Sequence, residues 1–249
     1  MSSTKLLFEE DGITLSSYPS GVFMLVLDRG PNVFNPFIVS SISSAIDIVE
    51  EALHPKSLVI TGGTTNKFFS NGLDTEWMLH HPKETSPMIE SLWKLLARVL
   101  VMDCRTVAAI NGHGFGGGLF LALACDFRIM RTQRGWVNFP ELNLGMRLAK
   151  GFSELAKSKL SAPTLREGVL TGKRYTSSEA LQAGMIDEEV PLEQLRERAI
   201  ELAENGFAEN LGLTAFDPQN FRLIKIELYT DAYRALTAGK VDASPHSRL

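Results

Sequence analysis

Two stretches of this chain have the make-up of an anion-binding turn. Ser70-Asn71-Gly72-Leu73-Asp74 passes from a glycine turn into an expected helix, and Gly116-Gly117-Gly118-Leu119-Phe120 does the same. The first turn of a helix carries backbone N–H groups with no intrahelical partner, and the helix dipole adds to their preference for negative charge. Two such ends facing one another would stabilise charge developing on a carbonyl oxygen. The spacing alone leaves open whether they converge or are two independent tight turns.

A single acid stands out beside them. Glu141 sits in Phe139-Pro140-Glu141-Leu142, after the strand-like Gly135-Trp136-Val137. A carboxyl among apolar residues resists ionisation, which moves its pKa toward the range of a general base. It could equally cap a helix or pair with Arg147. Asp74 reads as a helix cap or a buried pair, and Asp126 as the anchor of a turn. His113, between two glycines, reads as a packed loop residue. Gly112-His113-Gly114-Phe115-Gly116-Gly117 fits the dinucleotide pattern GxGxxG, but no acid closes the following strand at Arg131-Thr132-Gln133-Arg134. A phosphate-binding loop is excluded because no Gly-Lys-Ser/Thr follows.

These residues need a frame to hold them. Val22–Leu27 reads as a buried strand, Ile38–Leu53 as an amphipathic helix and Ser57–Thr61 as a second strand. Met88–Val101 follows as a helix and Arg105–Ile110 as a strand. A glycine-rich turn spans Asn111–Gly118, then a helix Leu119–Ala124 and a strand Phe127–Met130. Helical spacing returns after Pro191, at Leu195, Ala199, Leu202 and Ala203. Strands alternating with helices make the chain α/β.

The bulk properties narrow the classes. The 249 residues carry a net charge of -4, which gives no sign of a nucleic-acid surface. Cys104 and Cys125 lie in no CxxC pair and near no His cluster, so neither a disulfide framework nor a metal site is expected. No stretch approaches the ~20 apolar residues of a membrane span, and the N-terminal region lacks a secretory signal. A soluble, intracellular protein is expected.

The motifs taken together resemble the crotonase (enoyl-CoA hydratase/isomerase) superfamily. Lys67-Phe68-Phe69-Ser70-Asn71-Gly72-Leu73-Asp74 is similar to its F-x-A-G-x-D segment. Ile110-Asn111-Gly112 through the glycine run to Cys125-Asp126 is similar to its second signature. Phe139-Pro140-Glu141-Leu142-Asn143-Leu144-Gly145 is similar to its P-E-x-x-x-G segment, and Leu170-Thr171-Gly172, Glu179-Ala180 and Gly184-Met185-Ile186-Asp187 match its later stretch. The resemblance implies a spiral of ββα units over residues 1–190 and a C-terminal helical region over 191–249. It implies acyl-CoA as substrate, coenzyme A entering as part of it, no further cofactor or metal, and assembly as a homotrimer or hexamer. It implies that Leu73 and Gly117 supply the two N–H groups of an oxyanion hole. It implies that Glu141 is catalytic, and that Ser70, Asn71, Gly72, Leu73, Asp74 and Phe120 contact substrate. Hydratases of the family have a second glutamate where this chain has Phe120, which cannot activate water. That departure favours the Δ3-Δ2-enoyl-CoA isomerases, with hydration, thioester hydrolysis or an inactive acyl-CoA-binding subunit as alternatives. A second departure is Met146-Arg147-Leu148, where many hydratases have I-P-G-x-G.

Ser247-Arg248-Leu249 resembles the Ser-Lys-Leu address read by the peroxisomal import receptor, so a peroxisome or glycosome is the expected compartment. A fluorescent protein fused ahead of Met1 is expected to collect in such organelles, and to become cytosolic once residues 247–249 are deleted. Diffuse fluorescence from the intact fusion would remove the expectation.

Overall fold

The computed structural model describes residues 4–207 and 211–241; Ser247, Arg248 and Leu249 lie outside them. β1 (Lys5–Glu10) and β2 (Ile13–Ser17) form an antiparallel ribbon that joins β3 (Val22–Leu27). From β3 the chain repeats one path. A strand enters a large sheet, a shorter strand joins a smaller sheet, and a helix follows. The first turn is β3, β4 (Val33–Phe34) and α1 (Pro36–Glu51). The second is β5 (Ser57–Gly62), β6 (Phe68–Ser70), β7 (Gly72–Leu73), α2 (Thr75–His80) and α3 (Pro82–Leu100). The third is β8 (Arg105–Ile110), β9 (His113–Phe115) and α4 (Gly117–Ala124), and the fourth is β10 (Phe127–Arg131), β11 (Val137–Asn138) and α5 (Lys150–Lys159). Then come α6 (Ala162–Thr171), α7 (Ser177–Gln182), β12 (Glu188–Val190), α8 (Leu192–Asn205), α9 (Pro218–Leu228) and α10 (Thr230–Ala238).

The large sheet runs β1-β2-β3-β5-β8-β10-β12, parallel from β3 onward, so each turn of the path advances one strand. The small sheet, β11-β9-β6, is also parallel. This is the spiral of ββα units that the motifs imply. The boundary expected at residue 190 falls at the end of β12.

The burial of the large sheet explains the strand pattern. One face (Leu25, Leu58, Ile60, Ala108, Ile110) packs under α1, α3 and α4; the other (Met24, Val59, Val107, Ala109, Ile129) is covered by α8 through Leu195, Ala199 and Leu202. Strands buried on both faces lose alternation and read as continuous apolar runs. α1 starts at Pro36 because the Asn35 side chain accepts the Ile38 N–H at 3.1 Å and proline suits the first turn. α3 begins at Pro82, six residues before the expected start at Met88. Its first turns hold no buried residue before Met88, so no apolar period marks them. β9 lies inside the expected glycine turn, where flanking glycines mask a strand.

Asparagines lock successive turns together. Asn32 donates to Leu27 O (2.7 Å) and Phe69 O (3.1 Å), tying the first turn to the second. Asn111 accepts Gly62 N–H (3.0 Å) and donates to Gly63 O (3.0 Å) and Asn66 O (3.1 Å), tying the third to the second. No described helix is long and apolar enough to cross a membrane.

α9 is pinned by one buried cation. Lys225 Nζ donates to Met102 O (3.1 Å), Cys104 O (2.9 Å) and Asp126 Oδ2 (2.7 Å), and Asp126 also accepts the Thr106 N–H. Asp126 is therefore an anchor between helix and strand, as its position suggested. Removing one partner of a buried pair strands the other, at about 3–5 kcal/mol. Lys225→Met is expected to lower the unfolding free energy by that amount in a urea titration; a change below about 1 kcal/mol would show that the pair is not holding α9.

Candidate active site

The site is assembled at one edge of the small sheet. Its parallel strands β6, β9 and β11 end side by side. β6 leads to Asn71–Leu73, β9 to Gly116–Gly117, and β11 to Pro140–Glu141. Segments more than twenty residues apart in the sequence therefore emerge as neighbours. The carboxyl ends of parallel strands are where α/β folds place ligands, because the loops there are free of the sheet's own pairing.

The two glycine turns converge. A Cβ on Gly117 would lie 3.4 Å from Gly72 Cα, and a Cβ on Gly72 would lie 2.7 Å from Phe115 O and 3.1 Å from Gly117 N. Gly72 also has φ +84°, a conformation that side chains oppose. Gly116, with φ +48°, turns the chain into α4, while its own N–H is taken by Asn138 O at 3.1 Å. The Gly117 N–H is then the first of the unpartnered donors of α4. On the other side, Gly72 N–H is held by Ser70 Oγ (3.1 Å) and Asp74 N–H by Phe34 O (3.0 Å). Successive N–H groups of an extended strand point to opposite sides, so Leu73 N–H points away from β4. Leu73 and Gly117 both line one cleft.

Glu141 lines the same cleft, and its Oε1 lies 4.0 Å from where a Gly116 Cβ would be. Its Oε2 is buried and has no hydrogen-bond partner among the described residues. Leu73, Ile89, Leu144, Met146, Ala149 and Phe152 supply apolar walls. Burial among them pushes the Glu141 carboxyl up to about 7, against a small opposing pull from its own backbone N–H. The carboxyl thus exchanges its proton near neutrality, as a general base requires.

The expected substrate contacts divide into two layers. Asn71, Gly72 and Leu73 line the cleft. Ser70 stands behind it, fully buried, donating to Asn32 O at 2.7 Å. Asp74 caps α2 by accepting the Trp77 N–H at 3.0 Å and takes a bond from Asn35 Nδ2 at 3.0 Å. Phe120 is the main correction. It is fully buried, stacked on Phe152 at 4.4 Å and tilted against Phe139 at 5.4 Å, so Phe152 and not Phe120 meets the cleft. The helix that carries Phe120 is apolar on every side and sunk in the core, and Phe120 is not among the residues that line the cleft.

His113 is packed, as its glycine neighbours suggested. Its Nδ1 accepts the Trp136 N–H at 3.2 Å, and its ring meets Phe68, Phe115 and Trp136. Burial, with Lys67, Arg134 and Arg174 nearby, holds its pKa low. Sequence reasoning missed Phe152 and Ile89, and marked Met146 only as a departure from the hydratase pattern. Each is one apolar residue among many, and only packing distinguishes a wall from a core. Among the described residues, no group of three or more His, Cys, Asp or Glu is gathered as a metal site.

The raised carboxyl has a consequence for stability. The folded pKa of Glu141 lies above its unfolded value near 4.5, so its contribution is intact below that value and is lost as pH rises through about 7. Glu141→Gln, which is never charged, is expected to match the parent at pH 4 and to exceed it by roughly 1–3 kcal/mol at pH 8, in denaturant melts at the two pH values. Equal stabilities at pH 8 would place the carboxyl in water.

Residues 18–215 match the family described as enoyl-CoA hydratase/isomerase. Over 175 residues the chain is 33% identical to "Enoyl-CoA delta isomerase 2, peroxisomal" of Arabidopsis thaliana, covering 67% of this chain and 72% of that protein. It is 29% identical over 232 residues to "Enoyl-CoA delta isomerase 3" of the same plant, covering 91% and 96%. Human mitochondrial Δ3-Δ2-enoyl-CoA isomerase superposes with a TM-score of 0.78 at 22% identity, covering 94% of this chain and 86% of that one. An enoyl-CoA hydratase from Mycobacterium marinum superposes with a TM-score of 0.79 at 25% identity, covering 92% and 96%.

Proposed function

The chain belongs to the enoyl-CoA hydratase/isomerase family, and from that premise we propose that it is a Δ3-Δ2-enoyl-CoA isomerase that moves the double bond of a 3-enoyl-CoA to the 2-trans position. The observation that carries this reading is the lone carboxyl of Glu141, unpartnered at Oε2 and raised to about 7, beside two converging backbone turns. Glu141 takes a proton from C2. The electrons move to the thioester oxygen, and the resulting dienolate is held by the N–H groups of Leu73 and Gly117. Protonated Glu141 then returns the proton at C4. Oxyanion donors of this kind contribute about 10²–10³ in rate each, and the apolar walls strengthen their field by excluding water. Coenzyme A arrives with the substrate, and this chemistry calls on no further cofactor.

Hydration is the alternative, because several of the structural neighbours are named hydratases. It needs a water held between two acids. The cleft that Glu141 lines has Phe152, backed by Phe120, in its wall, and no second carboxylate among the described lining residues. The names of two Arabidopsis relatives, Enoyl-CoA delta isomerases 1 and 2, support a peroxisomal site of action. Assembly as a trimer or hexamer is proposed with the family; Leu223, Ile224 and Leu228 on α9 are exposed apolar surface suited to a neighbouring copy.

Purified protein incubated with a 3-enoyl-CoA is expected to yield 2-trans-enoyl-CoA, and with 2-trans-enoyl-CoA to form 3-hydroxyacyl-CoA far more slowly. Glu141→Gln is expected to reduce isomerisation at least ~10²-fold while an unreactive acyl-CoA still binds. Rapid 3-hydroxyacyl-CoA formation without double-bond migration would favour hydration, and binding with neither product an inactive subunit.

A further inference from the structure

The turn that carries Glu141 is tied down on both flanks to one carbonyl. Asn138 precedes it and Asn143 follows it. Asn143 Nδ2 donates to Gly172 O at 3.3 Å, and Asn138 Nδ2 reaches the same oxygen at 3.5 Å. Gly172 is the left-handed cap of α6, at φ +63°, with its own N–H closing the helix on Gly168 O at 3.1 Å. A Cβ there would lie 2.5 Å from Asn143 Nδ2, so the asparagine amide lies directly against the glycine backbone. Just beyond, Tyr175 exchanges two backbone hydrogen bonds with Val137, at 3.0 and 2.9 Å. Residues 172–175 therefore form a strap along one side of residues 137–143.

The other side of Asn138 meets the second glycine turn, since its carbonyl accepts the Gly116 N–H at 3.1 Å. Asn138 is thus bonded both to the strap and to the turn that presents Gly117. It is also kept at a cost. It is 3% exposed, and its Oδ1 has no partner among the described residues. A buried amide oxygen left unbonded opposes folding. An apolar side chain of similar size would avoid that cost, which points to a role other than stability.

We infer that Asn138 and Asn143 are positioning residues that clamp the Glu141 turn to the Gly172 carbonyl and so keep its carboxyl inside the apolar cleft. This rests on Glu141 being the base, although the clamp itself is a statement about where the carboxyl sits. Among the described residues, the backbone bonds within the turn are Leu144 N–H to Pro140 O, Gly145 N–H to Leu142 O and Met146 N–H to Glu141 O, and none of these ties it to the strap. Without the tie from Asn143 the carboxyl is free to swing toward water, and a base displaced by about 1 Å loses about 10²-fold in rate. Glu141 and Arg147 are the charged groups among the described residues lining the cleft. Glu167, Lys173 and Glu179 pair with one another near the strap, and none of them lines the cleft.

The test follows the carboxyl directly. In protein labelled with ¹³C at the glutamate carboxyls, the Glu141 signal is assigned by its loss in Glu141→Gln and titrated by NMR. Its midpoint in the parent is expected near 7. Asn143→Ala and the size-matched Asn143→Leu are expected to lower it by at least about one unit, with kcat down about 10-fold or more and KM within about twofold. Asn143→Gln, which keeps a donor, is expected to restore part of both. Asn143 is exposed, so these variants should fold; Asn138→Ala is the independent check. An unchanged midpoint in Asn143→Ala and Asn143→Leu overturns the clamp whatever the activity. A lowered midpoint upholds it even if Glu141→Gln keeps full turnover, a result that would instead remove Glu141 as the base.

Discussion

Gly117 and Gly72 meet backbone to backbone, and the site depends on that contact. No side chain fits between them, because a Cβ on Gly72 would press on both Phe115 O and Gly117 N. Gly118 repeats the condition one residue on, where a Cβ would lie 2.5 Å from Ser70 O. Glycine inside a helix costs about 1 kcal/mol relative to alanine. Here that cost brings the two backbone turns into contact, the arrangement that the proposed oxyanion hole needs. Side-chain donors could not be placed there without filling the space the substrate needs.

The contact is kept in register from behind. Asn32 and Asn111 bond to carbonyls and an amide N–H in the irregular crossings between strands and so tie those crossings to one another. Ser70 and Asp74, polar residues within the first glycine motif, do the same for Gly72 N–H and for the start of α2. Polar residues near the site thus mostly fix backbone. Among the described residues, the cleft is left with apolar walls and few charges, and Glu141 is its one carboxyl, with Oε2 unpartnered. Hydrogen-bond satisfaction behind the site and its absence within are two sides of one arrangement, since a low-dielectric cleft requires that the surrounding polar groups be bonded elsewhere.

The aromatic layer beneath the cleft bears on the choice of chemistry. Phe152 meets the lumen, Phe120 stacks behind it, and Trp93 stands edge-on to Phe152. The absence of a carboxylate at residue 120 therefore acts through a packed stack and not through direct contact. A glutamate introduced there would sit in the core, unsolvated, instead of facing a substrate. Family membership fixes the class of reaction; in the proposed reading, the apolar lining that includes Phe152 favours proton shuttling over addition of water.

The sequence by itself determined the spiral and the identity of the turns. Its motifs keep their order, the doubly buried strands read as apolar runs, and glycines stand where backbones must touch. Glu141 was legible as an acid among apolar residues, although a helix cap or a pair with Arg147 remained an equal reading. Only the tertiary structure decided that the two turns converge, because parallel pairing of β6, β9 and β11 joins residues far apart in the chain. It alone placed Phe120 in the core and Phe152 on the wall, since a uniformly apolar helix has no period to reveal which side faces a ligand. It alone brought Asn138 and Asn143 to one carbonyl some thirty residues away. Local sequence records the conformations that each residue permits; which permitted surfaces meet is set by strand pairing and burial over the whole chain.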